Sequence, residues 1–168
     1  MQISLVFKVV LMCIALGIFS TAFMDLCNIL GKKLRIHNGG SYALIGRWIG
    51  GFFHGQFRYQ NILQAAPLRH EKAIGCFAHY GIGIGLSFLY YVTSVAMDMP
   101  LDNMLWAIAF GIFTNVLPWF WMFPAFGFGV LGSKGPQNNT LLRSSFLNHL
   151  GFGVALGIGA KLLLLALK

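Results

Sequence analysis

Acid is what this sequence has least of: Asp25, Glu71, Asp98 and Asp102 are its four carboxylate side chains among 168 residues. Charged residues of both signs make up 10% of the chain, against about 25% in soluble domains. So few charges cannot clothe a water-covered globule, and a soluble fold is excluded. Cysteine is scarce too. Cys13, Cys27 and Cys76 are too scattered and too few for a disulfide framework or a CxxC metal site. No HxxxH, HExxH or Glu-x-x-His pair occurs, and the His, Ser and Cys positions make no nucleophile, base and orienter set.

Apolar residues are abundant instead: 57% of the chain, with a mean hydropathy of +0.72. They gather into four runs, about 3–30, 74–95, 104–123 and 146–167, each long enough to cross about 30 Å of hydrocarbon. The expected fold is all-α, a polytopic membrane protein whose single domain covers residues 1–168. The net charge of +8 would suggest nucleic acid in a soluble protein. Here nine of the twelve Lys and Arg lie in two connections, 31–73 and 124–145, so the excess is a topology signal and no nucleic-acid partner is expected. Positive-inside bias puts both connections in the cytoplasm and both termini outside, with the bilayer as partner. Ser20-Thr21-Ala22 resembles a signal-peptide cleavage site, but the apolar run continues past it, which favours a retained span.

The even-numbered runs share a pattern. His79-Tyr-Gly81-Ile-Gly83-Ile-Gly85-Leu86 and His149-Leu-Gly151-Phe-Gly153-Val-Ala155-Leu156 both read His-x-Gly-x-Gly-x-small-Leu. Gly17-Ile-Phe-Ser-Thr21 likewise matches Gly111-Ile-Phe-Thr-Asn115. Two tandem helix hairpins related by a pseudo-two-fold along the membrane normal are expected, the first longer by 24 residues. The pairs Gly81/Gly85 and Gly153/Gly157 are expected at helix crossings. Gly127-Phe-Gly129-Val-Leu-Gly132 has the form of a dinucleotide fingerprint, but it follows a membrane run and precedes Gly135-Pro136, so it is assigned to a loop.

In the first connection Leu44, Ile45, Trp48, Ile49, Phe52 and Phe53 recur at helical spacing, with Arg47, Gly50 and Gly51 off that face. This predicts an interfacial amphipathic helix with its aromatics in the headgroup zone and Arg47 and Arg58 near lipid phosphates.

Taken in order, Gly46-Arg47-Trp48, Gly55-Gln-Phe-Arg58, Gly75-x-x-x-His79-Tyr80-x-Ile-Gly83, Pro124-Ala-Phe-Gly127-x-Gly129 and Arg143-Ser144-x-x-x-x-His149-x-x-Phe152-Gly153 resemble the bacterial membrane family of unknown function numbered 2938. The resemblance covers nearly the whole chain, Asp25 included. It implies a small four-helix bacterial inner-membrane protein and brings no activity, cofactor or catalytic residue.

Polar groups inside a span are costly, so they mark either partners or function. Gly17, Thr21, Asp25 and Asn28 form one small-and-polar stripe on the first run. His79 and His149 occupy repeat-related places near the cytoplasmic ends of the second and fourth. Asn115 and Pro118 interrupt the third, where Pro118 is expected to free the Thr114 carbonyl and open a cavity. Asp25, Arg47, His79, Asn115, Arg143 and His149 are therefore the candidate binding residues, and Asp25, His79, His149 and one of Arg47 or Arg143 are expected to converge near the cytoplasmic face into one polar site.

Three function classes follow. The first is binding or transport of a small apolar or anionic molecule, with Arg47, Arg58 and Arg143 holding an acidic group. In the second, Asp25, His79 and His149 form a catalytic, divalent-metal or haem centre acting on a lipid or quinone. The third is an accessory subunit of a larger membrane complex or a homo-oligomer.

Overall fold

The computed structural model describes residues 2–35, 41–136 and 138–166. Leu167, where the fourth run was expected to end, and Lys168, one of the outer basic residues, lie outside them. Among the described residues the structure is all-helical: α1 (Gln2–Lys33), α2 (Tyr42–Phe52), α3 (Glu71–Ala96), α4 (Met104–Phe113), α5 (Phe123–Ala125) and α6 (Asn138–Ala166), with a π-helical turn at Pro118–Met122. Four stretches are long and apolar enough to span a membrane: Leu5–Lys33, Glu71–Ala96, Met104–Ala125 and Thr140–Ala166.

Local chemistry sets the helix ends. Lys32 and Lys33 close the last turn of α1, where cations complement the helix dipole. Glu71 opens α3, and its carboxylate accepts the Leu68 N–H at 3.0 Å, capping the chain as it turns in. Asn103 precedes α4 and accepts the Trp106 N–H at 3.1 Å through its side chain.

The chain divides into two compact units, one from the described parts of 1–27, 80–113 and 149–168 and the other from 28–79 and 114–148. In the first unit, helices meet backbone to backbone. A methyl group on Gly17 would lie 2.5 Å from the Ile84 Cα, and one on Gly111 would lie 2.5 Å from the His149 carbonyl and 2.6 Å from the Gly153 Cα. Gly83 faces the Thr21 hydroxyl. The two crossings therefore fall on repeat-equivalent positions, Gly17 with Gly83 and Gly111 with Gly153. One expectation is corrected here. Gly81 and Gly85 are exposed, with open space where a side chain would be, so the crossing uses Gly83 between them. The other pair does pack, Gly153 on Ala107 and Ile108 and Gly157 on Met104 and Ala107. Around the crossings lies a core of Leu16, Met24, Leu86, Tyr90, Phe110, Phe152 and Leu156. Two buried hydroxyls here find partners, Tyr90 donating to the Leu101 carbonyl at 2.8 Å and Ser87 to the Cys13 carbonyl, while that of Ser20 has none.

The second unit is aromatic. Trp48, Ile62, Phe123, Phe126 and Phe128 form its core, with Trp48 edge-on to Phe52, Trp121 and Phe126 at centroid distances of 5.1–5.7 Å. Gly46 of α2 lies directly on the Glu71 carbonyl and Gly75 on the Tyr42 carbonyl, so α2 rests on the first turns of α3. The loop from Gly127 to Gly132 has left-handed backbone at each of its three glycines and contains no nucleotide-type strand and helix. The Tyr59 and Ile62 N–H groups donate to Ala125 and Phe126 just before it, at 2.8 and 3.0 Å.

Two further expectations are corrected. The buried face of α2 is Gly46, Arg47, Trp48, Gly50 and Gly51, while Phe53 is 85% exposed. The arginine side turns inward because Glu71 supplies a charge partner there and the glycines allow close approach. In the third span, the Thr114 carbonyl accepts the Leu117 N–H at 3.1 Å, so Pro118 does not leave it open.

Candidate functional site

Arg47 is 8% exposed and its guanidinium is bonded from within. Nε and Nη2 donate to the two Glu71 carboxylate oxygens at 2.8 and 2.9 Å, and Nη1 donates to the Ile62 and Ala65 carbonyls at 2.9 Å. This is a bidentate, charge-assisted pair with four of the five guanidinium N–H groups bonded within the protein, the geometry that makes burial of a charge tolerable. The bond to Glu71 raises the Arg47 pKa above its ordinary value, while burial works against that rise. Tyr59 donates its hydroxyl to the Arg47 carbonyl at 3.0 Å, and burial raises its pKa. The sequence expectation of Arg47 near lipid phosphates is thus corrected, because its charge is neutralised by Glu71. Arg58 is exposed.

Asn115 is 1% exposed and accepts the Ser145 hydroxyl at 2.9 Å, joining the third span to α6 within the second unit. Among the described residues of this unit, three buried polar atoms lack a partner: Ser144 Oγ, Trp119 Nε1 and Asn28 Oδ1. Arg143, beside Ser144, is exposed. His79 is half-buried with its ring 5.2 Å from that of Tyr42. These four candidates, Arg47, His79, Asn115 and Arg143, belong to the second unit. Asp25 and His149 are half-buried and belong to the first.

The first unit also contains an apolar groove of about 320 Å³ between α1 and α6, lined by Ala15, Leu16, Phe19, Gly159, Leu162, Leu163 and Ala166. Small residues on both helices, Ala15, Gly159 and Ala166, leave the space, and Phe19 and the leucines wall it. Its size falls within the range of about 300–1,000 Å³ typical of small-molecule sites.

Among the described residues no three His, Cys, Asp or Glu side chains are grouped to hold a metal ion. Sequence reasoning missed the pairing of Glu71 with Arg47 and of Ser145 with Asn115. Glu71 had a signal: it is the lone acid in two connections that carry nine basic residues. Ser145 had none, because its value comes from facing Asn115, 30 positions away.

Residues 14–163 match the family described as "Protein of unknown function (DUF2938)", and the chain belongs to that family. No curated protein and no solved structure matches it.

Proposed function

We propose that this DUF2938 member binds a small apolar molecule within the bilayer and carries it there. The supporting observation is the groove between α1 and α6, whose lining is apolar throughout and lies on two membrane-length helices. Neutralisation of Arg47 by Glu71 weighs against an anionic substrate, since an acidic ligand would have to displace a bidentate internal carboxylate. Asp25 and His149, of the same unit as the groove, remain our candidates for contact with any polar end of the molecule. The setting we propose is a bacterial inner membrane, with both basic connections cytoplasmic and both termini outside. Ser133→Cys, in the second connection, is then labelled only by reagents that enter the cytoplasm; labelling from outside intact cells refutes that orientation.

A photoreactive alkyl diazirine in vesicles tests the site itself. Labelling is expected to concentrate on Leu16, Phe19, Leu162 and Leu163 and to fall away in Ala15→Trp, which fills the groove from an exposed position. Uniform labelling of every lipid-facing helix, unchanged in the variant, would contradict ligand binding there. Loss of labelling that tracks dimer formation would assign the groove to a second copy of the chain.

A further inference from the structure

The third span departs from regular helical bonding between Thr114 and Phe123. Pro118 has no N–H to give, Leu117 donates three residues back to Thr114 at 3.1 Å, Trp119 donates to Asn115 at 3.0 Å, and Phe123 donates five residues back to Pro118. Irregular backbone at membrane depth survives where it is buried in protein or lines a cavity, and π-turns gather at functional sites. Polar atoms surround this break. Asn115 meets Ser145 across it, Ser144 is the neighbouring residue of α6, and Trp119 follows Asn115 by four residues, placing its side chain about one turn on.

Ser144 is 6% exposed, yet its hydroxyl has no partner, and neither does the Trp119 indole N–H. An unpartnered donor in an apolar interior is costly enough that proteins rarely keep one, let alone two in one unit. Both donors are neutral. Arg143 is exposed, and the buried charge of Arg47 in this unit is already matched by Glu71. A carboxylate or phosphate brought in would have no counter-charge, whereas a carbonyl oxygen offers two lone pairs and needs none.

We propose that the break in the third span is a binding site for the oxygen of a neutral carbonyl compound, held by the Ser144 hydroxyl and the Trp119 indole N–H, with the Asn115–Ser145 bond fixing the two walls. The site rests on different residues from the α1–α6 groove and stands or falls separately.

Three probes with equal chains decide it: decane, 2-decanone and decanoate, each titrated into the full-length protein in nanodiscs. The ketone is expected to bind about tenfold more tightly than the alkane, the worth of one to two net hydrogen bonds, and its infrared carbonyl stretch to shift down on binding. Ser144→Ala combined with Trp119→Phe should bring the ketone to the affinity of the alkane and abolish the shift, while Gly81→Leu, where open space lies, leaves both unchanged. Without probe, the double variant should be as heat-stable as the parent or more so, because it deletes two unpartnered polar atoms. Equal binding of ketone and alkane, tightest binding of decanoate, a carbonyl shift indifferent to the double variant, or loss of heat stability in that variant would each overturn the site.

Discussion

The two units hold their helices together by opposite means. In the first, contact is made by the absence of side chains: Gly17 against Gly83 and Ile84, Gly111 against Gly153, with no charged residue in the core around them. In the second, an eleven-residue helix too short to persist alone is pinned by a buried arginine, two carbonyls and a ring of aromatics. Lipid tails are as apolar as leucine, so helices in a membrane gain little from burying apolar faces and must rely on close packing or on polar bonds. This chain uses one solution in each unit. Their failure modes differ accordingly, since close packing fails when a side chain is added and a charge pair fails when one is removed.

The largest expected effect comes from adding atoms. Gly83→Leu or Gly111→Leu would push a side chain into facing backbone or a buried hydroxyl, and we expect loss of folded protein on extraction. Gly81→Leu, two positions from Gly83 on the same helix, is expected to behave as the parent, because open space lies there. Thermal melts of the three variants in one detergent check this, and equal melting of Gly81→Leu and Gly83→Leu would erase the distinction between the units.

Removing one charge comes next. Arg47→Met or Glu71→Leu alone should cost about 3–5 kcal/mol by leaving its partner buried and unpaired, while the double variant should recover most of that. Denaturant titrations of the single and double variants measure the coupling. If the two single losses simply add, the pair does not hold the second unit.

A smaller effect follows from Tyr59. Its folded pKa stands above the ordinary value of 10.0 because the ring is buried. The unfolded chain therefore releases this proton first, so its stabilising contribution is complete below about pH 10 and is lost as pH climbs through the folded value. Melting temperature followed between pH 8 and 11 should fall only at the alkaline end, and Tyr59→Phe should flatten the fall.

Much of the first unit was legible in the sequence, because a repeat and a small-residue pattern are local signals. Matching Gly17 to Gly111 and His79 to His149 already implied two equivalent crossings. What periodicity could not choose was which of Gly81, Gly83 and Gly85 meets the neighbour, since only the rotation of the helix about its axis decides that. The second unit was less legible. Reading α2 by its apolar residues put Arg47 outside, whereas Glu71, 24 residues on, draws it in. Asn115 was singled out as a polar residue within a span, but its partner Ser145 and the unpartnered Ser144 and Trp119 follow from packing between distant segments. The groove was not anticipated at all, since Ala15, Gly159 and Ala166 read as ordinary small residues until α1 and α6 are set side by side.

Native mass spectrometry of the protein extracted gently from its own membrane bears most directly on the central proposal. A retained apolar small molecule, present on the parent chain and missing from Ala15→Trp, is the expected result. A parent chain that carries only bulk lipids in the proportions of the membrane, with an identical spectrum for Ala15→Trp, would contradict it.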